Sequence, residues 1–307
     1  MSHWEGILPV YKPAGFTSHD VVAKTRRLLR MKRIGHTGTL DPQVTGVLPL
    51  CLGKATRVVE YVQEQPKEYR ATLRLGISTD TEDLTGTVLE QADGSHVTLE
   101  EAKAVLEQFI GTISQVPPMY SAVKVDGKRL YELAREGKTV ERKSRQVTIH
   151  EIEMTECAHH DSFTDITFRV LCSKGTYIRT LCVDIGQALG LPATMVELQR
   201  TMSAGIPLDR CLTLEQIEQY AADGTLDKYL IPVDEAISFL ASHTVEEAKA
   251  TAALQGQRLS FTVVHPPVST DQPIRLYREN GQFLGIYKRE ESSGAIAPVK
   301  VFLPGNG

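Results

Sequence analysis

No run of about 20 apolar residues occurs anywhere in this 307-residue chain, so a membrane-spanning helix is not expected. Its start, MSHWEGILPVYKP, has no basic stretch followed by an apolar one, and a secretory leader is not expected. Cysteine is sparse: Cys51, Cys157, Cys172, Cys182 and Cys211 form no CxxC pair and no Cys/His ligand cluster. An odd number of widely spaced thiols reads as reduced cysteine in a cytoplasmic protein. HExxH, GxSxG and a GxGxxG after a strand are all missing. LPLCLGKAT (48–56) has a Gly-Lys pair but lacks the Gly five residues earlier and the following Ser/Thr, which excludes a phosphate loop. His3 and Glu5 form an HxE without a later PCxxC, which excludes a zinc deaminase. TDTED (79–83) lacks EF-hand spacing and reads as a solvated turn. The chemistry is therefore expected to need no metal and no nucleotide cofactor.

Charge is present, and it is uneven. Residues 1–70 carry 11 Lys/Arg against 6 Asp/Glu, a net of +5 within a chain of net charge −4. KTRRLLRMKR (24–33) holds six cations and no anion, and residues 124–145 hold eight cations against four anions. Cations clustered on a mildly acidic protein suggest a polyanion site, or else a solvated helix face.

Residues 18–33 read as a helix capped by Ser18, with Val21, Val22, Thr25, Leu28 and Leu29 on one face. Arg26, Arg30 and Arg33 would then share another face at i, i+4, i+7 spacing. YRATLRL (69–75) and TDITFRVL (164–171) alternate like strands with one wet face. Thr98 to Glu101 and Thr213 to Gln216 are capping boxes, the second opening a helix to about residue 222. Residues 178–189 have helical apolar spacing. Composition shifts near residue 240. A short Ala-rich helix (245–254) is followed by strand-like runs at 274–277, 283–287 and 299–302, separated by Asn-Gly, Ser-Gly and Pro. One large α/β or α+β domain (1–240) and a small β-rich one (241–307) follow from this pattern.

Between the basic helix and an apolar run lies GHTGTLDPQVTGVLPL (35–50). Gly35, Gly38 and Gly46 permit backbone conformations closed to other residues. Pro42 pushes Asp41 toward extended geometry, presenting its carboxylate from a loop. Taken alone, Asp41 could cap a turn or do chemistry.

This segment resembles the signature of the TruB-type tRNA pseudouridine synthases, and four further segments resemble that family's motifs in order: KPAGFTSHD (12–20), YRATLRLGISTDTEDLTG (69–86), VPPMYSAVKVDGKRLYELAREG (116–137) and SKGTYIRTLCVDIGQALG (173–190). The resemblance implies an α+β pseudouridine-synthase fold with a mixed, mostly antiparallel sheet and a PUA-like C-terminal domain. It implies isomerisation of a uridine in the tRNA T-loop (position 55) by a cytoplasmic monomer, without metal, cofactor or obligatory protein partner. Asp41 becomes the covalent nucleophile, a role that suits a carboxylate able to attack and later leave. Attack at ribose C1′, attack at base C6 and a glycal route all remain open. Arg179 becomes the cation that keeps Asp41 ionised. Tyr69 becomes the aromatic stacked on the base, a safer role than proton transfer for a hydroxyl with a reference pKa of about 10. His36 would fill the space of the flipped-out base, while Tyr177 and Leu198 line the uracil pocket. Lys12, Arg26, Arg30 and Arg33 would contact the RNA backbone. A non-catalytic tRNA binder or folding helper would use the same surface. A guide-RNA-dependent synthase would need partner proteins and a larger tail.

Overall fold

The computed structural model describes residues 4–121, 123–125, 127–290 and 294–303; the outermost ends of the two expected domains, 1–3 and 304–307, lie outside it. In chain order the strands of the larger sheet are β1 (Gly6–Lys12), β2 (Ile34–His36), β3 (Thr45–Leu52), β4 (Lys67–Leu75), β5 (Gly111–Gln115), β6 (Arg145–His159), β7 (Thr164–Cys172), β8 (Ala193–Ser203) and β9 (Ile206–Pro207). They run in the order β1-β3-β8-β4-β7-β6-β5, with β2 on β3 and β9 on β8. Every pairing is antiparallel except β8 with β3, where Gln199 and Arg200 lie beside Thr45 and Gly46. The fold is thus α+β with the expected mixed, mostly antiparallel sheet.

Helices cover the sheet where its strands are apolar. Helices α1 (Leu99–Gln108) and α2 (Ile178–Ala188) bury Ala102, Leu106, Leu181 and Ile185 against Leu73, Ile149, Phe168 and Met195. At the other end β1 and β3 are covered on both faces. Leu8, Val10, Leu48 and Leu50 meet Val21, Val22 and Ile217 on one side, while Ile7, Val47 and Cys51 meet Val58, Val62 and Ile237 on the other. Double coverage explains why GVLPLCL reads as an unbroken apolar run without alternation.

The helix at the basic segment spans Ser18–Leu28 and stops earlier than its periodicity suggests. Leu29 is its C-cap, and Arg30 follows with φ 50°, a left-handed residue that ends the helix without glycine. Arg26, Arg30 and Arg33 therefore share no helical face. The N-cap is Thr17, reciprocally bonded to Asp20, and Ser18 is free for another task. The two capping boxes form as read, at Thr98 and Thr213.

A six-stranded sheet occupies the C-terminal β-rich domain. The runs at 274–277 and 283–287 fall on its strands Ile274–Arg278 and Phe283–Glu290, and the run at 299–302 on the end of Ala295–Val301, with Phe302 just past it. Ile286 and Phe302 enter the same apolar cluster as Ile7 and Val47. Lys54 donates to the Leu303 carbonyl at 2.8 Å, and Arg57 to that of Val301.

Candidate active site

Asp41 follows β2 in a loop that three groups tie down. Lys12, at the end of β1, is fully buried and donates to the carbonyls of Pro13, Phe16 and Pro42 at 2.9, 2.6 and 3.0 Å. Ser18 Oγ accepts the Leu40 N–H at 2.9 Å. Gly15 N–H reaches the Pro42 carbonyl at 2.9 Å. The residues on both sides of Asp41 are thus bonded to the basic helix and the turn before it, while the Asp41 side chain stays 48% exposed.

Arg179 approaches from the first turn of α2. Its Nη2 lies 2.9 Å from Asp41 Oδ2, and its side chain is only 7% exposed. The guanidinium also donates to the carbonyls of Tyr120 (2.8 Å) and Thr81 (3.1 Å), with Asp83 at 4.0 Å. TDTED is therefore no solvated turn. Its Thr81 and Asp83 back the arginine, and Thr180 Oγ1 donates to Glu82 Oε2. A cation fixed by two carbonyls loses little freedom on pairing, so the Asp41 contact is pre-organised.

Gln115, buried at the end of β5, clasps the start of α2. Its amide accepts the Tyr177 N–H at 3.0 Å and donates to the Tyr177 carbonyl at 3.2 Å. This fixes Tyr177, whose ring carries the Arg145 guanidinium 5.5 Å from its centroid.

The floor is the sheet. Tyr69 on β4 and Arg200 on β8 are direct cross-strand partners, as are Ala71 and Leu198. Arg200 is 1% exposed, donates to Val47 and Gly38 carbonyls, and adds a buried positive charge beside the tyrosine. Burial pushes the Tyr69 hydroxyl above the ordinary phenol range, against the pull of Arg200. Lys67, two residues before Tyr69 and so on its face, donates to the Gln65 carbonyl at 2.6 Å; burial lowers its pKa to about 8. Lys12 falls to about 8 for the same reason.

Asp41, Tyr69, Tyr177, Arg179 and Leu198 line one cleft of about 320 Å³, within the range of small-molecule sites. Thr37, Ser121, Lys67 and Arg200 line it too. His36 sits half-buried one residue outside, its Nδ1 accepting the Gly38 N–H at 3.3 Å; burial holds its pKa down. The remaining expected residues stand apart. Lys12 lies beneath the loop with its ammonium spent, so it supports Asp41 and does not face RNA. Arg26 donates to the Ile34 carbonyl and Arg33 to Thr56 Oγ1, while Arg30 is exposed. In the second basic segment Lys128 and Lys138 both pair with Glu136.

Sequence reasoning passed over Lys67, Arg200, Thr37, Ser121 and Gln115. A period-two count from Tyr69 and from Leu198 would have reached the first two. Among the described residues no His/Cys/Asp/Glu group is arranged to hold a metal, and no helix is long and apolar enough to cross a membrane.

Three family models match the chain in succession. They are the TruB family pseudouridylate synthase N-terminal domain (26–178), the tRNA pseudouridylate synthase B C-terminal domain (179–238) and the pseudouridine synthase II TruB C-terminal domain (241–302). A Bacillus licheniformis protein named tRNA pseudouridine synthase B is 45% identical over 303 residues, covering 98% of each chain. One of the same name from Staphylococcus haemolyticus is 46% identical over 304 residues, covering 97% of this chain and 99% of that one. Among solved structures, a Cbf5-Nop10-Gar1 complex superposes with a TM-score of 0.76 at 29% identity, covering 97% of this chain and 85% of that one. An H/ACA RNP bound to a substrate RNA containing 2′-deoxyuridine gives 0.75 at 27%, covering 98% and 86%. The fold and these relatives define the class, a pseudouridine synthase. Within that class the chain belongs to the TruB family.

Proposed function

We propose that this chain converts uridine 55 in the T-loop of tRNA to pseudouridine, with Asp41 as the nucleophile. The observation that carries the reading is the buried Arg179 guanidinium 2.9 Å from the half-exposed Asp41 carboxylate, above a cleft floored by Tyr69. The reaction breaks the bond from ribose C1′ to uracil N1, turns the base, and joins C1′ to C5 with loss of the C5 proton. A carboxylate can stabilise or capture the electron-poor sugar carbon and later leave. Arg179 offsets its negative charge through the 2.9 Å ion pair while the cleft loses water. A flipped base lies against Tyr69, Tyr177 and Leu198. The Tyr69 hydroxyl, raised by burial, stays neutral near pH 7 and serves as wall and stacking surface.

The relatives' name supports tRNA as the substrate, and the proposal takes the chain to act as a cytoplasmic monomer without an obligatory protein partner. Residues 1–240 are the catalytic unit in this reading and 241–307 a PUA-like unit. His36 faces the T-loop beside Asp41, and exposed Arg30 contacts its backbone.

Tritium release from a [5-³H]uridine T-stem-loop tests the assignment, with the product position mapped by mass spectrometry. The wild type should release tritium from position 55 alone, and Asp41→Asn should release none while still binding the RNA. Release by Asp41→Asn at the wild-type rate would overturn the nucleophile. RNA binding with no release by either protein would favour a tRNA-binding or folding protein.

A further inference from the structure

Among the described residues, two buried hydroxyls in the cleft have no partner. Thr37 Oγ1 and Ser121 Oγ are buried, at 1% and 5% residue exposure, and neither makes a hydrogen bond. Both residues line the cleft that holds Asp41 and Arg179. Native interiors seldom leave a buried hydroxyl unpaired, because it gives up water and gains nothing. Such a group at a substrate cleft is explained when the substrate completes it.

Ser121 is tied through the chain to the cation that holds Asp41. It follows Tyr120, whose carbonyl takes the same Arg179 Nη2 that holds Asp41. The Ser121 carbonyl accepts the Tyr131 N–H at 3.1 Å, which fixes its backbone. Arg179 is already committed to Asp41 and to the carbonyls of Thr81 and Tyr120, whereas the Ser121 hydroxyl is an uncommitted polar group in the cleft that holds that pair. A hydroxyl both donates and accepts, so it matches another hydroxyl.

If Asp41 works at ribose C1′, the substrate hydroxyl nearest that carbon is the 2′-hydroxyl. We infer that Ser121 is the hydrogen-bonding seat for the 2′-hydroxyl of the flipped uridine. This inference rests on the proposed function and deepens it. The 2′-hydroxyl is what distinguishes RNA from DNA at a single site, so Ser121 would make the cleft selective for a ribonucleotide.

The test is Ser121→Ala, assayed with stem-loops carrying uridine or 2′-deoxyuridine at the target. kcat/KM on the uridine stem-loop should fall about five- to tenfold, the loss of one neutral hydrogen bond. The Kd of the 2′-deoxyuridine stem-loop should stay within twofold of wild type, since that RNA has nothing to bond. Tm should not fall, because the hydroxyl holds nothing in the free protein. An unchanged kcat/KM overturns the inference. So does parallel weakening toward both RNAs, or a Tm lowered by several degrees, since either marks a packing role. Wild-type tritium release is measured alongside. Its failure would count against the proposed function, whereas an active wild type with an unaffected variant would count against Ser121 alone.

Discussion

Replacing Lys12 with Met should separate stability from catalysis. The side chain is fully buried and its ammonium bonds three carbonyls. Met keeps the volume and removes every donor. The Pro13 and Phe16 carbonyls are left without a partner while Pro42 keeps the Gly15 N–H; at roughly 1–3 kcal/mol per unsatisfied group the loss is about 2–6 kcal/mol. Against this, the fold strains to keep the lysine charged: a fall from 10.5 to about 8 corresponds to about 3 kcal/mol disfavouring the cation, and Met relieves it. The two contributions nearly cancel, so Tm should move by no more than about 3 °C. Catalysis has no such compensation, because Pro42 is then held by the Gly15 N–H alone. Pro42 carries one of the three carbonyls and directly follows Asp41. A displacement of about 1 Å at a reacting group can cost on the order of 100-fold, so kcat should fall by about that factor. The Kd for a T-stem-loop should stay within twofold, because the ammonium never reaches the surface. Tritium release, thermal melts and filter binding read the three quantities. A kcat within threefold of wild type would refute the tether, and a Tm loss above 10 °C would refute the cancellation.

The two buried lysines, Lys12 and Lys67, predict opposite pH responses for stability and for activity. Lys12 and Lys67 are both held at about 8, below 10.5 for the free side chain. Between pH 8 and 9 the native state has released protons that the unfolded chain still binds, so these groups raise stability as pH rises. The neutral Lys12 amine has two N–H groups for three carbonyls, so kcat/KM should decline over the same interval while Tm does not; a parallel decline of both would contradict this. Above pH 9 the thiols, raised by burial, begin to ionise in the unfolded chain only and reverse the trend. A separate expectation concerns Gly46, which has φ +112° and would place an added Cβ 2.2 Å from the Arg200 carbonyl. Gly46→Ala should destabilise by roughly 3–5 kcal/mol, seen as a Tm drop near 10 °C by calorimetry; a drop under 3 °C would mean that β3 and β8 can part without penalty.

Local chemistry was legible in the sequence where it is settled within a few residues. Thr98 with Glu101 and Thr213 with Gln216 close their own boxes, and the alternation of 69–75 and 164–171 needs only a sheet with one covered face. Asp41, Tyr69 and Arg179 were reached through motif resemblance, because nothing local tells an aspartate in a loop that an arginine 138 residues later will stand 2.9 Å away. Charge is less legible. Eleven cations in the first seventy residues suggested a surface for RNA, yet folding uses many of them internally. Lys12 and Lys67 are buried on carbonyls. Arg26, Lys54 and Arg57 also bond carbonyls, and Arg33 bonds a hydroxyl. A long side chain with several donors is the simplest partner for carbonyls left over where strands end and loops turn back, and the sequence does not show which carbonyls those will be. Pro42 is thirty residues from Lys12, and the parallel pairing that sets Arg200 beside Gly46 joins segments more than 150 residues apart. A count of basic residues therefore bounds the charge available to RNA from above, and only the hydrogen-bond partners show how much of it remains.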